Sequence, residues 1–440
     1  MGLFSVESTP TITIDGNISP DTKAKITDIA KGYNYPVIFT VDSLHLSALP
    51  PDAPSISVYN DKSEIIVQIL QSNSIDSFHV NLYLTSHGPA VIVGANISQS
   101  VKQVISAAFK DTPVKVLFSR SIQPYDSLLS STAYRPALGR PHEQLQPGSS
   151  LSRDNEKFVA GTFGCVLMAG TERFGLTTGY RQYLESEYQE IRRSGFAFRE
   201  STCGLCHPAE ADVLIESAYL KKTIDHLKQR SYPDKDQEIK EYDELEQQTR
   251  SSRVGAGLFS VLGYGTRSLE DESSPRCKLD YTLFTLSRMA TNILVHNRRA
   301  TGNIASLSAD MRVLKVGRST GLTFGTVSGI KAKVQVPGFP YPTAEWTVVG
   351  DYDQPFARKG DIGSSVWDED GNLLGLIWEC CPMEGSAFVT PISEILDSLK
   401  RITGVRYMVE RPDEKFINKL EANDRVYVDI SEDNLRFNLE

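Results

Sequence analysis

The sequence predicts an α+β protein of more than one domain, in which a small α/β unit precedes a larger β-rich region. Over residues 1–120, short β-like runs alternate with segments of helical spacing. From residue 158 onward, short apolar runs are separated by glycines, as in FVAGTFGCVLMAG and VLKVGRSTGLTFGTVSGI. Many short strands at such spacing are typical of a β-barrel or a β-sandwich. A pair of charged helical segments interrupts this β-rich region.

The N-terminal unit contains two predicted helices and five predicted strands. One helix is predicted after Pro20, and another after Ser98, which can cap it ahead of apolar residues at helical spacing. The strands are predicted at 37–41, 65–70, 80–84, 90–93 and 114–118. No glycine-rich nucleotide loop is found in this unit, so we predict a structural or protein-interaction role for it.

The other segment boundaries are predicted from proline-rich stretches and from helical periodicity. Residues 121–157 carry four prolines among serines and glycines and are predicted to be a linker. Helices are predicted at 216–230 and 236–250, which form a hairpin inserted at about 213–252. Residues 405–440 are predicted to be a tail that packs on the N-terminal unit or engages another chain, and both alternatives stay open.

Composition and charge restrict the class of protein. Hydrophobic residues make up 40% and charged residues 23% of the 440 residues, which is typical of a globular protein. The net charge of −9 argues against direct electrostatic binding to nucleic acid. No apolar run is long enough to span a bilayer, and no secretory signal is found. With six cysteines, the chain is expected in a reducing compartment inside the cell, cytoplasmic or nuclear.

The segment FARKGDIGSSVWDEDGNLLGLIW resembles the nucleophile loop of trypsin/chymotrypsin-fold serine proteases, whose pattern is G-D-S-G-[GS]. Ile362 occupies the position of the serine nucleophile. The positions that match the pattern are Gly360, Asp361, Gly363 and Ser364.

Two upstream segments extend this resemblance. In GTFGCVLMAGTERFGLTTGYRQ, Leu176 and Thr177 match the family's L-T-x-A-H turn, Gly179 takes the small position and Tyr180 stands where the histidine belongs. In KLDYTL, Asp280 takes the position of the triad aspartate.

A glycine-rich run completes the resemblance. Residues 315–325, KVGRSTGLTFG, are similar to the K-x-G-R-T-T-G-x-T-x-G run of intracellular trypsin-like proteins of filamentous fungi. The resemblance covers residues 145–404 and implies a double β-barrel domain at 158–404, into which the helical hairpin is inserted. It also implies a C-terminal helix of the barrel at 392–402.

The substitutions in this pattern predict a pseudoprotease that does not act as an enzyme. Isoleucine has no nucleophilic atom, and a tyrosine with a pKa near 10 is no substitute for an imidazole base. Asp280 is then a residue of the fold, with the Tyr180 hydroxyl as a candidate partner. The backbone N–H groups of Gly360 and Ile362 remain as a residual oxyanion hole. We therefore predict an intracellular protein-binding scaffold or adaptor with unidentified protein partners, and a homo-oligomer stays open.

Two alternatives remain at this point. One is a serine protease with a displaced nucleophile, Ser364 or Ser365, although a shift of that size would misplace the hydroxyl by several ångströms. The other is a regulatory subunit that captures a peptide in the cleft without turnover. The apolar side chain of Ile362 is expected to face Tyr180 and fill the cleft.

The cysteines and histidines predict no cofactor and no metal. Cys203 and Cys206 lie in a C-x-x-C-H string, but a zinc site would need a second ligand pair, and Cys380 and Cys381 are adjacent rather than spaced. His226 is a lone candidate ligand, and the remaining histidines are scattered, with no paired spacing: His45, His79, His87, His142 and His296.

Overall fold

The chain was studied as a computed structural model. The structure describes residues 12–15, 37–40, 46–119, 145–154, 159–179, 197–200, 204–229, 234–248, 250–265, 276–294, 298, 300–337, 339, 341–351, 354–381 and 384–412. Four features of the sequence analysis lie outside these residues: the predicted helix after Pro20, the residue Tyr180, the residue Cys203, and the part of the predicted tail beyond residue 412.

In the described residues of the N-terminal unit, the structure shows six short strands and two helices. The strands are Ile12–Asp15 (β1), Val37–Thr40 (β2), Leu46–Ser47 (β3), Phe78–Thr85 (β4), Gly88–Ala95 (β5) and Lys115–Ser119 (β6). The helices are Ser55–Ser72 (α1) and Gln99–Ala108 (α2). The Ser98 hydroxyl accepts a bond from the Val101 N–H at 3.4 Å, which is the predicted N-cap.

The prediction of a strand at 65–70 is wrong, because these residues belong to α1. The buried residues of this helix recur at helical intervals: Tyr59, Ser63, Ile66, Val67 and Leu70. A short apolar run cannot be assigned to a strand or a buried helix by periodicity alone, and the longer window decides for the helix. The other four predicted strands of this unit are confirmed by β2, β4, β5 and β6.

The first barrel is an open antiparallel sheet. Its strands are Ser150–Arg153 (β7), Gly161–Thr162 (β8), Cys165–Ala169 (β9), Glu172–Thr177 (β10), Ala197–Glu200 (β11), Gly204–His207 (β12), Ser252–Tyr264 (β13) and Lys278–Leu286 (β14). The predicted helical hairpin is confirmed as Glu210–Gln229 (α3) and Lys235–Gln248 (α4), inserted between β12 and β13. Residues 150–153 were predicted to belong to the linker, but they form strand β7, because they pair with β12 of this sheet.

The second barrel is closed. Its strands are Arg312–Gly317 (β15), Gly321–Gln335 (β16), Thr343–Gly350 (β17), Ser365–Asp368 (β18), Leu373–Cys381 (β19) and Ser386–Pro391 (β20). The order β15-β18-β19-β20-β17-β16 returns on itself because β15 also pairs with β16. Helix Ile392–Thr403 (α5) follows, as predicted, and Met408–Val409 (β21) then pairs with β9 of the first barrel.

Two contacts join these parts. Leu167 and Tyr281 of the first barrel share one buried cluster with Trp367 of the second barrel and Leu399 of α5. Strand β4 pairs with β16, so strands β3–β6 of the N-terminal unit continue the sheet of the second barrel. The structure therefore has the predicted double-barrel architecture, with the second barrel closed, the first barrel open and the helical hairpin inserted in the first, while the exact domain limits stay a prediction. No helix in the described ranges is long and apolar enough to cross a membrane.

Candidate functional site

The loop between β17 and β18 is held against the first barrel by backbone contacts. It contains a single 3-10 turn, Lys359–Asp361, and then Gly363 at φ +99°. A Cβ at Gly363 would lie 2.4 Å from the Thr162 carbonyl oxygen, so only glycine fits there. The Thr162 N–H donates to the Ile362 carbonyl at 3.0 Å, and its hydroxyl donates to the Gly360 carbonyl at 2.7 Å. Strand β8 thus fixes the path of this loop.

Asp361 is fully buried below this loop and accepts hydrogen bonds at both carboxylate oxygens. Its Oδ1 accepts from the N–H groups of Ser319 at 2.6 Å and Thr320 at 3.2 Å. Its Oδ2 accepts from the Thr320 hydroxyl at 2.7 Å, the Arg358 N–H at 2.9 Å and the Lys315 Nζ at 3.2 Å. A buried carboxylate with this many donors is fully compensated.

The glycine-rich run at 315–321 is therefore the binding site of Asp361. Burial lowers the pKa of Lys315, and the Asp361 carboxylate opposes that effect. A Cβ at Gly317 would lie 2.3 Å from Asp361 Oδ1, so the glycine makes room for the carboxylate. The G-D-x-G-S loop and the glycine-rich run, which are far apart in the sequence, therefore form one hydrogen-bonded structure.

Ile362 is buried, but it does not line an open cleft. Its side chain is 2% exposed and belongs to the core of the second barrel, with Val313, Phe356, Val366 and Ile377. The expectation that this side chain faces Tyr180 concerns a residue outside the described part of the chain. The contacts that the structure does describe place Ile362 in the core of its own barrel.

The predicted oxyanion-hole donors are only partly available. The N–H of Ile362 donates to the Lys359 carbonyl at 3.4 Å within the 3-10 turn. A ligand oxygen would have to displace that carbonyl to use this donor, so the geometry differs from two open N–H groups. The role of Gly360 and Ile362 as a residual anion site stays a prediction.

The two alternative serines are buried as well. Ser364 is 0% exposed, and its hydroxyl donates to the Asp361 carbonyl at 2.6 Å. Ser365 is 2% exposed and begins β18. Among the described residues, neither hydroxyl is placed beside an imidazole that could remove its proton, as nucleophilic attack requires.

Asp280 has a cation beside it on its own strand. The Lys278 Nζ lies 3.1 Å from Asp280 Oδ2, with side-chain exposures of 4% and 0%. On the other side, a Cβ at Gly179 would lie 3.2 Å from Asp280 Oδ1, so this aspartate is next to the residue that precedes Tyr180. The predicted Tyr180 contact lies outside the described residues, and Lys278 is the partner that the structure gives.

Lys278 also connects Asp280 to the second barrel. Its Nζ lies 4.0 Å from the centroid of the Trp378 ring. The carboxylate of Glu345 accepts from the Lys278 N–H at 2.7 Å and from the Trp378 Nε1 at 3.0 Å. Burial raises the pKa of Glu345 to about 7.

The inserted hairpin is tied to the loop by an ion pair. The Arg318 Nε donates to Asp212 Oδ2 at 2.7 Å, and a second guanidinium nitrogen bonds Oδ1 of the same carboxylate. Asp212 lies in the first turn of α3, and both side chains are almost fully buried. Bidentate pairs of this kind fix orientation as well as distance. The base of the hairpin is therefore fixed beside Gly360.

Sequence reasoning missed Lys278, Glu345 and Asp212. Lys278 carried a signal, because residues two apart on a strand share a face. Glu345 and Asp212 carried none, since each reaches its partner from a distant element.

The described cysteines are free thiols: Cys165, Cys206, Cys277, Cys380 and Cys381. The Cys206 Sγ donates to Asp154 Oδ1 at 3.1 Å, and burial together with that carboxylate raises the pKa of Cys206 to about 12. A thiol with such a pKa stays protonated near neutral pH.

Comparison with known proteins returned solved structures only. No family model matches the chain, and no curated protein is significantly similar to it in sequence. A glutamic-acid-specific serine protease is 15% identical over 60% of this chain and 100% of its own, with a TM-score of 0.33. Protease A of Thermobifida fusca is 13% identical over 61% and 100%, with a TM-score of 0.32. The Nocardiopsis protease NAPase is 12% identical over 60% and 98%, with a TM-score of 0.33. A likeness of this degree says nothing of activity or substrate.

The first prediction concerns the Lys315–Asp361 pair. Lys315→Met leaves the buried Asp361 without its cation and should lower the free energy of unfolding by about 3–5 kcal/mol, measured by chemical denaturation. The matched control is Arg312→Met on the same strand, whose pair with Asp351 is half-exposed at the arginine and should contribute about 0–1 kcal/mol. Equal losses in the two variants would show that Asp361 does not depend on Lys315.

The second prediction concerns pH. The folded chain keeps the proton of Glu345 up to a pH of about 7, whereas the unfolded chain loses it near its ordinary value of 4.5. Stability should therefore fall as the pH rises through this interval, and the contribution of Glu345 to that fall is about 3 kcal/mol. In Glu345→Gln the free energy of unfolding should decline less between about pH 5 and about pH 8.

The control for this measurement is Glu64→Gln, whose carboxylate on α1 is 57% exposed. It should reproduce the pH slope of the unaltered chain. A slope in Glu345→Gln that equals the slope of this control would contradict the assignment.

Proposed function

We propose that this chain is a catalytically inactive, trypsin-like pseudoprotease that acts inside the cell as a protein-binding scaffold or adaptor. The observation that carries the proposal is the position of Ile362. The residue at the nucleophile position has no reactive atom, and its side chain is buried in the core of the second barrel.

The environment of Asp280 supports the same proposal. In a working triad the aspartate stabilises the imidazolium that forms on the histidine. Here the buried carboxylate already has the Lys278 ammonium at 3.1 Å. An aspartate that is paired with a lysine at this distance does not require a histidine to balance its charge.

The alternative of a displaced nucleophile has less support. The Ser364 hydroxyl is committed to a backbone carbonyl, and Ser365 is buried at the start of a strand. Peptide capture without turnover also has less support, because the Ile362 N–H already has an acceptor in its own turn. The scaffold proposal requires neither group.

Binding to another protein is supported by the inserted hairpin. Leu214 is 49% and Ile215 is 46% exposed on α3, close to the Asp212 anchor. Large apolar side chains on a fixed helix are a common feature of protein-binding surfaces. The intracellular part of the proposal is supported by the free thiols of the described cysteines.

Activity-based labelling tests the catalytic half of the proposal. The purified chain should not react with a fluorophosphonate probe, because no serine is activated. An active trypsin-fold protease labelled in parallel is the positive control. Labelling that maps to Ser364 or Ser365 and is lost on substitution to alanine would overturn the proposal.

Substitution of Ile362 tests the position of its side chain. Ile362→Ser should lower the free energy of unfolding by about 3 kcal/mol, because it leaves a cavity and a hydroxyl in an apolar core. Ile362→Val, the matched control, should cost about 1 kcal/mol. If the serine variant is as stable as the valine variant, the side chain at 362 faces solvent and peptide capture becomes the better hypothesis.

Affinity purification with mass spectrometry tests the scaffold half. The tagged chain should enrich a defined set of proteins from a cell extract, and the variant Leu214→Asp/Ile215→Asp should lose part of that set. Both positions are exposed, so the variant is expected to fold. An identical set of proteins for the two chains would remove the hairpin from the binding surface.

A further inference from the structure

A buried cluster of three metal-ligating side chains lies where the N-terminal unit meets the second barrel. His79 is on β4, Cys381 ends β19, and Glu384 follows in the turn that leads to β20. The residues come together only in the fold, because His79 and Cys381 are 302 positions apart. This explains why the sequence showed no paired ligands.

The ligand atoms face one another at short range. The His79 Nε2 lies 2.7 Å from Glu384 Oε1 and 4.0 Å from Cys381 Sγ. One ligand atom from each residue lies within 4.8 Å of the other two. All three residues are less than a tenth exposed. Ligand atoms bound tetrahedrally to zinc lie roughly 3.3–3.8 Å apart, so the cluster needs adjustments of only about 1 Å.

The donor set selects the kind of ion. One imidazole nitrogen, one thiolate and one carboxylate suit Zn²⁺, whereas Mg²⁺ and Ca²⁺ require oxygen ligands. Charge favours the same ion. A thiolate and a carboxylate together carry two negative charges, which a divalent cation neutralises in a place where unpaired charges would be costly.

Neighbouring groups hold the ligands in position. The Tyr83 hydroxyl donates to Glu384 Oε2 at 2.5 Å and lies 2.9 Å from the Ser386 hydroxyl. A Cβ at Gly94 would lie 1.8 Å from the His79 Cε1, so the imidazole rests directly on the backbone of β5. Outer partners of this kind orient metal ligands.

We propose that His79, Cys381 and Glu384 bind a Zn²⁺ that joins the N-terminal unit to the second barrel, with a water molecule as its fourth ligand. On binding, the Cys381 thiol loses its proton to solvent, and the His79 proton that faces Glu384 moves through solvent from Nε2 to Nδ1. The Cys381 Sγ, His79 Nε2 and Glu384 Oε1 then each donate a lone pair to the ion. The bound ion replaces the hydrogen bond between His79 and Glu384. The proposal does not depend on whether the chain is a pseudoprotease.

The test uses the full chain, prepared free of metal and then loaded with Zn²⁺ or with Co²⁺. After dialysis, elemental analysis should find about one Zn²⁺ per chain, and the Co²⁺ form should show a sulfur-to-cobalt absorption band. Zinc should also raise the melting temperature of the chain, because it binds the folded chain more tightly than the unfolded chain. Less than about a tenth of an ion per chain without that band would show that the cluster is a hydrogen-bonded network only.

Adjacent cysteines provide the matched variants. Cys381→Ala should abolish the sulfur-to-cobalt band and weaken zinc binding at least about tenfold. His79→Gln should weaken zinc binding by a similar factor. Cys380→Ala is the control, because the Cys380 side chain packs in the core of the second barrel with Ile362. Equal loss of zinc in the two cysteine variants would overturn the assignment. Circular dichroism shows whether each variant folds. If a variant does not fold, the zinc content and the cobalt band of the unaltered chain decide whether the cluster binds the ion.

Discussion

The buried carboxylate of Asp361 is the group on which the loop between β17 and β18 depends. Five donors from two separate segments converge on its two oxygens, one of them the Lys315 ammonium. Once these bonds form, the turn that precedes Ile362 and the hairpin between β15 and β16 have one relative position. The ion pair between Arg318 and Asp212 then extends this order to the inserted helices.

The arrangement separates the stability of the fold from the chemistry of a protease. The groups that hold the loop are Asp361, its donors and Thr162, and none of them is a member of a catalytic triad. At two of the positions that the sequence resemblance assigns to a triad, Ile362 contributes apolar area to the second barrel, and Asp280 forms an ion pair with Lys278. Both residues therefore have structural roles that do not require a nucleophile or a base. Burying an isoleucine side chain contributes roughly 1.5–3 kcal/mol, so the nucleophile position adds to stability.

The sequence predicts the elements better than the contacts between them. Helix α2 and the hairpin were predicted correctly because apolar residues recur at helical spacing over several turns, whereas α5 was expected from the resemblance. The segment 65–70 was assigned to a strand because a window of six residues does not distinguish the two periods. The contact between Asp361 and the run at 315–321 could not be predicted, because it joins residues more than 40 positions apart. The same holds for Glu345, whereas Lys278 could have been found from its position two residues before Asp280.

The glycines of the loop show which residues of the pattern G-D-x-G-S the fold itself requires. A Cβ at Gly360 would lie 1.8 Å from the Ser319 hydroxyl oxygen, and one at Gly363 would meet the Thr162 carbonyl. Asp361 is required by its donors. Position 362 is different, because its side chain has only to fit the core of the barrel, and a β-branched apolar residue fits it well. Packing and hydrogen bonding therefore specify the glycines and Asp361 of the pattern, whereas at position 362 they specify only an apolar side chain of suitable size. A resemblance in this loop is evidence of a fold, and activity has to be judged from position 362 and from the groups around Asp280.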